Sequence, residues 1–182
     1  FSYGEGAADT TIWPGWGRGI WYTIVDPAKG LKDLSIPGGM NAPNQWLHYA
    51  AVSGPGGMKF YVNGILVAAN AYGGSFKSLQ NGTRFLFGNN VTVGQRSFFG
   101  GQMDEVRVWS QYRSQEQIRE TMFRTLTGKE PGLVACWNFD DGTARDLTPG
   151  RHDGKLVGET PATLEIPAGR RKIVLRKAGK PD

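Results

Sequence analysis

Disulfide bonding is excluded from the start. The 182-residue chain holds a single cysteine, Cys136, so no internal bridge can form. It stands in the apolar run LVACWNF (133–139) and reads as a buried small residue rather than a reactive thiol. Histidine is almost as scarce, with two residues, His48 and His152. With no H-E-x-x-H and no C-x-x-C, transition-metal catalysis has no ligand set to work with. His48, in WLHYA, reads as a structural imidazole. No G-x-S-x-G nucleophile elbow occurs, and GGSFKS (73–78) lacks the spacing of a phosphate loop. Long apolar runs are also missing, and nothing approaches the length of a membrane-spanning helix.

Glycine and aromatic residues are abundant instead: 27 Gly, 10 Pro, 9 Phe, 6 Tyr and 6 Trp. With little helical periodicity beside them, they point to an all-β domain rich in turns. The length suits one core that needs neither disulfides nor metals. The opening residues, FSYGEGAADT, have neither the charged lead nor the apolar stretch of a secretory signal. Phe1 is not an initiator, so the chain is expected to be a piece of a longer or processed protein.

Short β-rich runs alternate with turns. GIWYTIVD (19–26) predicts a strand closed by Asp-Pro. QWLHYAAVSG (45–54) alternates, with Trp46, His48, Ala50 and Val52 on one face and Leu47, Tyr49 and Ala51 on the other. MKFYVNGILVAA (58–69) predicts a hairpin turning at Asn63-Gly64, where both positions tolerate positive φ. Further strands are expected at 83–88, 90–94, 101–110, 133–142, 152–158 and 172–177. The one helical pattern spans 114–126. Ser114 and Gln117 form a capping box, Ile118, Met122 and Leu126 an apolar stripe, and Gly128 and Pro131 a stop signal.

The succession QWLHYAAVSGPGGMKFYVNGILVA, VTVGQ, GGQMDEVRVWSQYRSQEQIRE and GLVACWNFDDGTARDLTPGRHDGKLVG resembles the laminin-G-like branch of the concanavalin A-like lectin/glucanase superfamily. Pentraxins are more distant relatives of the same pattern. The resemblance covers roughly residues 45–158. It implies a jelly-roll sandwich of two antiparallel sheets with one short helix near 114–126. It leaves function open, because that fold hosts enzymes, lectins and adhesion modules alike. Family domains carry several strands ahead of the segment matching Phe1, so the sandwich is expected to lack its first strands, unless later strands or another chain fill their place.

Asp104 and Glu105 are the obvious candidates for chemistry. On a continuous strand over 101–110 they would point to opposite faces, Asp104 beside Val106 and Glu105 beside Arg107. A retaining glycosidase needs two carboxyls about 5–5.5 Å apart on one side. The glucanase relatives place acids at alternate strand positions, a pattern absent here. Structural roles are expected for both, and no enzymatic activity.

Ligand contact is expected instead at TIWPGWGRGIW (11–21). There Trp13, Trp16 and Arg18 sit in a glycine-rich, loop-like setting where indoles can be presented to a sugar ring. Trp21, opening a strand, is assigned to the core. Asp140, Asp141, Asp146 and Asp153 crowd the loop NFDDGTARDLTPGRHDG and are the candidate ligands for calcium, a hard cation that wants several oxygens. Their spacing is not that of an EF-hand, and Asp-rich turns are common between strands. The pentraxin-type calcium loop is not preserved: GQRSFFGG (94–101) holds Arg96 and no acid.

The C-terminal stretch GRRKIVLRKAGKPD carries six cations against one acid, matching the whole formal net charge of +5. No aromatic residue is interleaved, so nucleic acid is a disfavoured partner. The expected organisation is a sandwich over 1–158 and a basic strand or linker over 159–182. The expected function is a non-catalytic binding or adhesion module of a larger exported protein, placed outside the cell, at its surface or in a periplasm. Its ligand would be a glycan or a protein. The alternative is a structural domain that pairs with other chains or domains of the same parent, with a glycoside hydrolase third.

Overall fold

A computed structural model describes residues 2–5, 8–14, 19–38, 44–76, 79, 84–89, 99–155, 157 and 173–175. The chain divides into two compact units, Phe1–Ser97 with Tyr112–Phe123, and Phe98–Gln111 with Arg124–Asp182.

The first unit holds two antiparallel sheets. Strands β1 (Ser2–Glu5), β2 (Ala8–Pro14), β3 (Ile20–Asp26), β4 (Gly30–Ile36) and β8 (Arg84–Leu86) form one, in the order β4-β3-β2-β1-β8. Strands β5 (Tyr49–Val52), β6 (Met58–Val62) and β7 (Ile65–Asn70) form the other in sequence order. Alternation decides which side chains meet. Ile20, Tyr22 and Ile24 of β3 and Leu34 and Ile36 of β4 pack with Met58, Phe60 and Val62 of β6 in one buried cluster. Each such side chain contributes roughly 1.5–3 kcal/mol by leaving water. Tyr22 brings a hydroxyl into this core. Burial pushes its pKa up to about 12, against hydrogen bonds to Ser53 and Thr10 that work the other way.

The opposite face of the three-stranded sheet is used as well. Val52 and Tyr61 are buried with Ile118 of helix α1 (Gln115–Thr121), beside Ala50 and Tyr112. The alternation expected for 45–54 therefore holds: Leu47 and Ala51 go to the main core, Ala50 and Val52 to the helix side. The strand itself is shorter, since only Tyr49–Val52 joins the ladder. The hairpin turns where expected, with Asn63 at φ 49° and Gly64 at φ 72°, the double left-handed geometry of a type I′ turn. A Cβ at Gly64 would stand 2.7 Å from Cγ of Arg119, so the glycine also lets the helix approach.

The helix begins as read: Ser114 Oγ accepts from the Gln117 N–H, and the Gln117 side chain accepts from the Ser114 N–H. It ends earlier, at Thr121 with Met122 as C-cap. Leu126 is buried but outside it, so its apolarity belongs to a loop and not to a helical stripe.

In the second unit β10 (Val106–Trp109) pairs antiparallel with β11 (Leu133–Trp137), and β9 (Gly101–Met103) with β12 (Ile173–Leu175). Cys136 is fully buried on β11. Burial, then the Glu105 charge, raises its thiol pKa to about 11, which fits an inert structural residue. The strand expected at 152–158 does not form at 152–155 or at 157. The one expected at 90–94 falls outside the described residues.

Candidate functional site

Two surfaces hold the residues on which function could rest. The first is the face of the five-stranded sheet turned away from its core. Because Ile20, Tyr22 and Ile24 point inward, Trp21, Thr23 and Val25 point outward. Register aligns these with their neighbours: Trp13 of β2 stands opposite Trp21, and Trp21 opposite Ser35 of β4. The next row is Thr11, Thr23 and Asp33. Burial falls across the sheet. Asp9 and Thr11 of β2 are buried, Trp21 and Thr23 half-buried, and Asp33 and Ser35 exposed. Facing positions on neighbouring strands lie within about 5.5 Å of each other, so aromatic and polar groups alternate over short distances.

This corrects two expectations. Trp13 is not in a loop, for its backbone lies within β2. Trp21 is not in the core but on the reverse side of its strand. Trp16 and Arg18 lie outside the described residues. The sequence signal for Trp21 was present but ambiguous: in IWYTIVD both alternating sets are mostly apolar, each with one polar member, Asp26 or Thr23, so periodicity alone could not say which faced inward.

The second surface is the loop after β11. Asp146 is its organiser. One carboxylate oxygen accepts from the N–H groups of Cys136 and Thr148, both at 2.9 Å. The other accepts from the Thr148 hydroxyl and the His152 N–H and faces His152 Nδ1, each at 2.9 Å. Burial by itself would raise the pKa of this carboxyl, but the N–H groups of Cys136, Thr148 and His152 outweigh it and hold it at about 2. Asp153 accepts from the Asp146 N–H at 2.9 Å and pairs with Arg151 at 3.3 Å. Asp141 accepts from the Thr143 hydroxyl and N–H and pairs with Arg145 at 3.4 Å. Asp140 accepts from the Asn138 amide at 2.7 Å. The four aspartates thus each hold their own stretch of loop. Among the described residues no group of three or more His, Cys, Asp or Glu is arranged to hold a metal ion.

The paired acids sit where the expected strand breaks. β9 ends at Met103 and β10 starts at Val106. Glu105 takes a left-handed φ of 51°. Neither acid is in a strand, so the opposite strand faces expected for them do not form. Both nonetheless have structural work. Asp104 accepts from the Glu105 N–H at 2.8 Å. Glu105 holds the Arg107 guanidinium at 2.8 Å, and that guanidinium also donates to the Arg124 carbonyl. His48 has a backbone role: its N–H donates to the Asn63 side chain and its carbonyl accepts from the Asn63 N–H, at 2.9 and 2.8 Å.

A family model described as the concanavalin A-like lectin/glucanases superfamily matches residues 7–119. Among solved structures, the chain is similar to a crystal structure from Bacteroides ovatus ATCC 8483 described as a "putative carbohydrate binding protein". The TM-score is 0.58 at 20% identity, over 83% of this chain and 45% of that one. The chain thus spans less than half the length of that protein, and at this identity the likeness is one of fold. No curated protein matches the chain. The matched family model, two antiparallel sheets around one core and one short capped helix agree: the chain belongs to the laminin-G-like branch of the concanavalin A-like lectin/glucanase superfamily.

Proposed function

We propose that the chain is a non-catalytic binding module of a larger exported protein, and that it holds a glycan on the outer face of its five-stranded sheet. The observation that carries this reading is Trp21 of β3 with Ser35 of β4 opposite it, beside the pair Thr23 and Asp33, all four on the outward face and none of them buried. A sugar ring has apolar C–H faces and a rim of hydroxyls. It needs an aromatic surface and a few placed polar groups, and both are set here on strands rather than on loops. The Bacteroides ovatus likeness supports the reading through its described carbohydrate binding. Asp104 and Glu105, each engaged in local hydrogen bonds, support the absence of catalysis.

The test is a glycan array followed by titration of the best neutral oligosaccharide. Trp21→Ala is expected to weaken binding about five- to thirtyfold, the worth of one stacking contact of roughly 1–2 kcal/mol. Asp33→Ala should weaken it less. Chelation of calcium is expected to change nothing, since the loop carboxylates already accept from N–H and hydroxyl donors. Undiminished binding by Trp21→Ala would sink the assignment of this face. Release of reducing ends from a polysaccharide, abolished by Glu105→Gln, would make the protein a hydrolase.

The competing reading, an assembly domain, draws on the exposed apolar residues Ile65 and Leu66 of β7 and Phe123. Binding to no glycan, with recovery only in a stable complex, would favour it.

A further inference from the structure

The second unit contains a cleft of about 350 Å³ that the proposed glycan face does not use. That volume is at the small end of ligand pockets. Three cations line it, Lys129, Arg145 and Arg151, together with the apolar side chains of Leu147 and Pro149. We propose that this cleft is a second binding site, and that it takes the anionic group of an acidic sugar, a carboxylate or a sulfate.

Asp146 also borders the cleft, but its side chain is fully buried and meets five donor positions from Cys136, Thr148 and His152. Its charge is directed inward and compensated there. The guanidinium groups are directed outward. Arg145 meets Asp141 through a single contact at 3.4 Å, and Arg151 meets Asp153 through one at 3.3 Å. All four side chains are 40% exposed or more. Exposed pairs of this kind are worth about 0–1 kcal/mol, so an arriving anion can displace or share them. A guanidinium has five N–H donors, and each of these spends one on its aspartate. Among the described residues the Lys129 ammonium has no partner at all.

The cations are held on a fixed frame. A Cβ at Gly128 would stand 2.3 Å from the Leu147 carbonyl oxygen. Only glycine allows that approach, and it brings Lys129 against the loop that carries Arg145 and Arg151. The loop is further pinned by backbone hydrogen bonds: the Leu147 N–H donates to the Cys136 carbonyl at 2.8 Å and the Arg151 N–H to the Thr148 carbonyl at 3.2 Å. Exposed cations on a fixed backbone, beside the apolar Leu147 and Pro149, suit one charged sugar residue: the apolar side chains take a C–H face and the cations take the acid.

Titration of the whole chain with a sulfated disaccharide, a uronate-ending disaccharide, the neutral parent disaccharide and inorganic sulfate tests this. Both acidic sugars should bind, weakening as salt is raised, while the neutral parent does not enter the cleft. Lys129→Ala and Arg151→Ala should each reduce affinity about tenfold, the loss of one charge-assisted contact. Both residues are exposed, so unchanged thermal melting should show the variants intact. Amide shifts in the titration should gather at Leu147, Thr148 and Arg151, and Trp21→Ala should leave them unaltered. Acidic sugars that bind equally to wild type and to the variant lacking all three cations would overturn the site. So would no binding of either acidic sugar. Inorganic sulfate as tight as the sulfated sugar would overturn the sugar assignment and leave a simple anion site. Tighter capture of an acidic peptide or a nucleic acid would do the same.

Discussion

At Asp146, burial and hydrogen bonding pull in opposite directions, and hydrogen bonding prevails. The carboxyl is held at about 2, below the 3.8 expected when the chain is unfolded. A depressed folded value means that the ionised form stabilises the fold. That stability is complete above about pH 4 and is lost as pH falls toward about 2. Nearly two pKa units correspond to about 2 kcal/mol. Asp146→Asn should therefore destabilise the protein by about 2–4 kcal/mol near neutral pH, since the amide cannot accept everywhere the carboxylate does. In urea titrations the gap between variant and wild type should narrow between about pH 4 and pH 2. A gap independent of pH would mean that Asp146 is not the residue holding the loop. The same residue shows a limit of sequence reading. Four aspartates in one loop look alike on paper as calcium ligands. What distinguishes Asp146 is the set of N–H groups that the folded backbone turns toward it, and no spacing rule carries that information. Glu105 makes the point again, for nothing in MDEVRV announces a left-handed residue between two strands.

Elements were legible where local chemistry is decisive. The Asn63-Gly64 hairpin and the Ser114–Gln117 box formed as read, because each depends on residues within a few positions of one another. β4 was not foreseen: in GLKDLSI, Leu31 is 60% exposed while Leu34 and Ile36 are buried, so no clean period of two appears. The N-terminal strand β2 hid for a similar reason. Its outward residues Asp9 and Thr11 are buried, so polarity did not mark the solvent side. The helix start gives a sharp expectation. Seven residues are too few to be stable alone, so α1 relies on its cap and on Ile118. Ser114→Ala should cost about 1 kcal/mol, and Ser114→Gly only a few tenths, measured as shifts of the urea midpoint at constant slope. Equal losses from both would show that the hydroxyl does not cap.

At the scale of the whole molecule, the C-terminal stretch was expected to stand apart as a basic strand or linker beyond residue 158. Its strand character is present: Ile173–Leu175 pairs antiparallel with Gly101–Met103. The ladder joins positions some seventy residues apart, so pairing preferences within either segment could not reveal it. The cations flanking β12 in sequence, Arg170, Arg171, Lys172, Arg176 and Lys177, suit a strand at the margin of a sheet, because like charges discourage a further strand from adding. Ending the chain at Gly158 would leave β9 without this partner and expose its unpaired N–H and C=O groups. Each lost ladder bond is worth roughly 0.5–1.5 kcal/mol, and a kilocalorie moves the melting temperature of a protein of this size by about 2–4 °C. The shortened protein should melt several degrees lower and elute partly as larger species, since an open edge invites pairing between copies. Identical melting and elution would instead identify residues 159–182 as a linker whose short strand adds nothing to the fold.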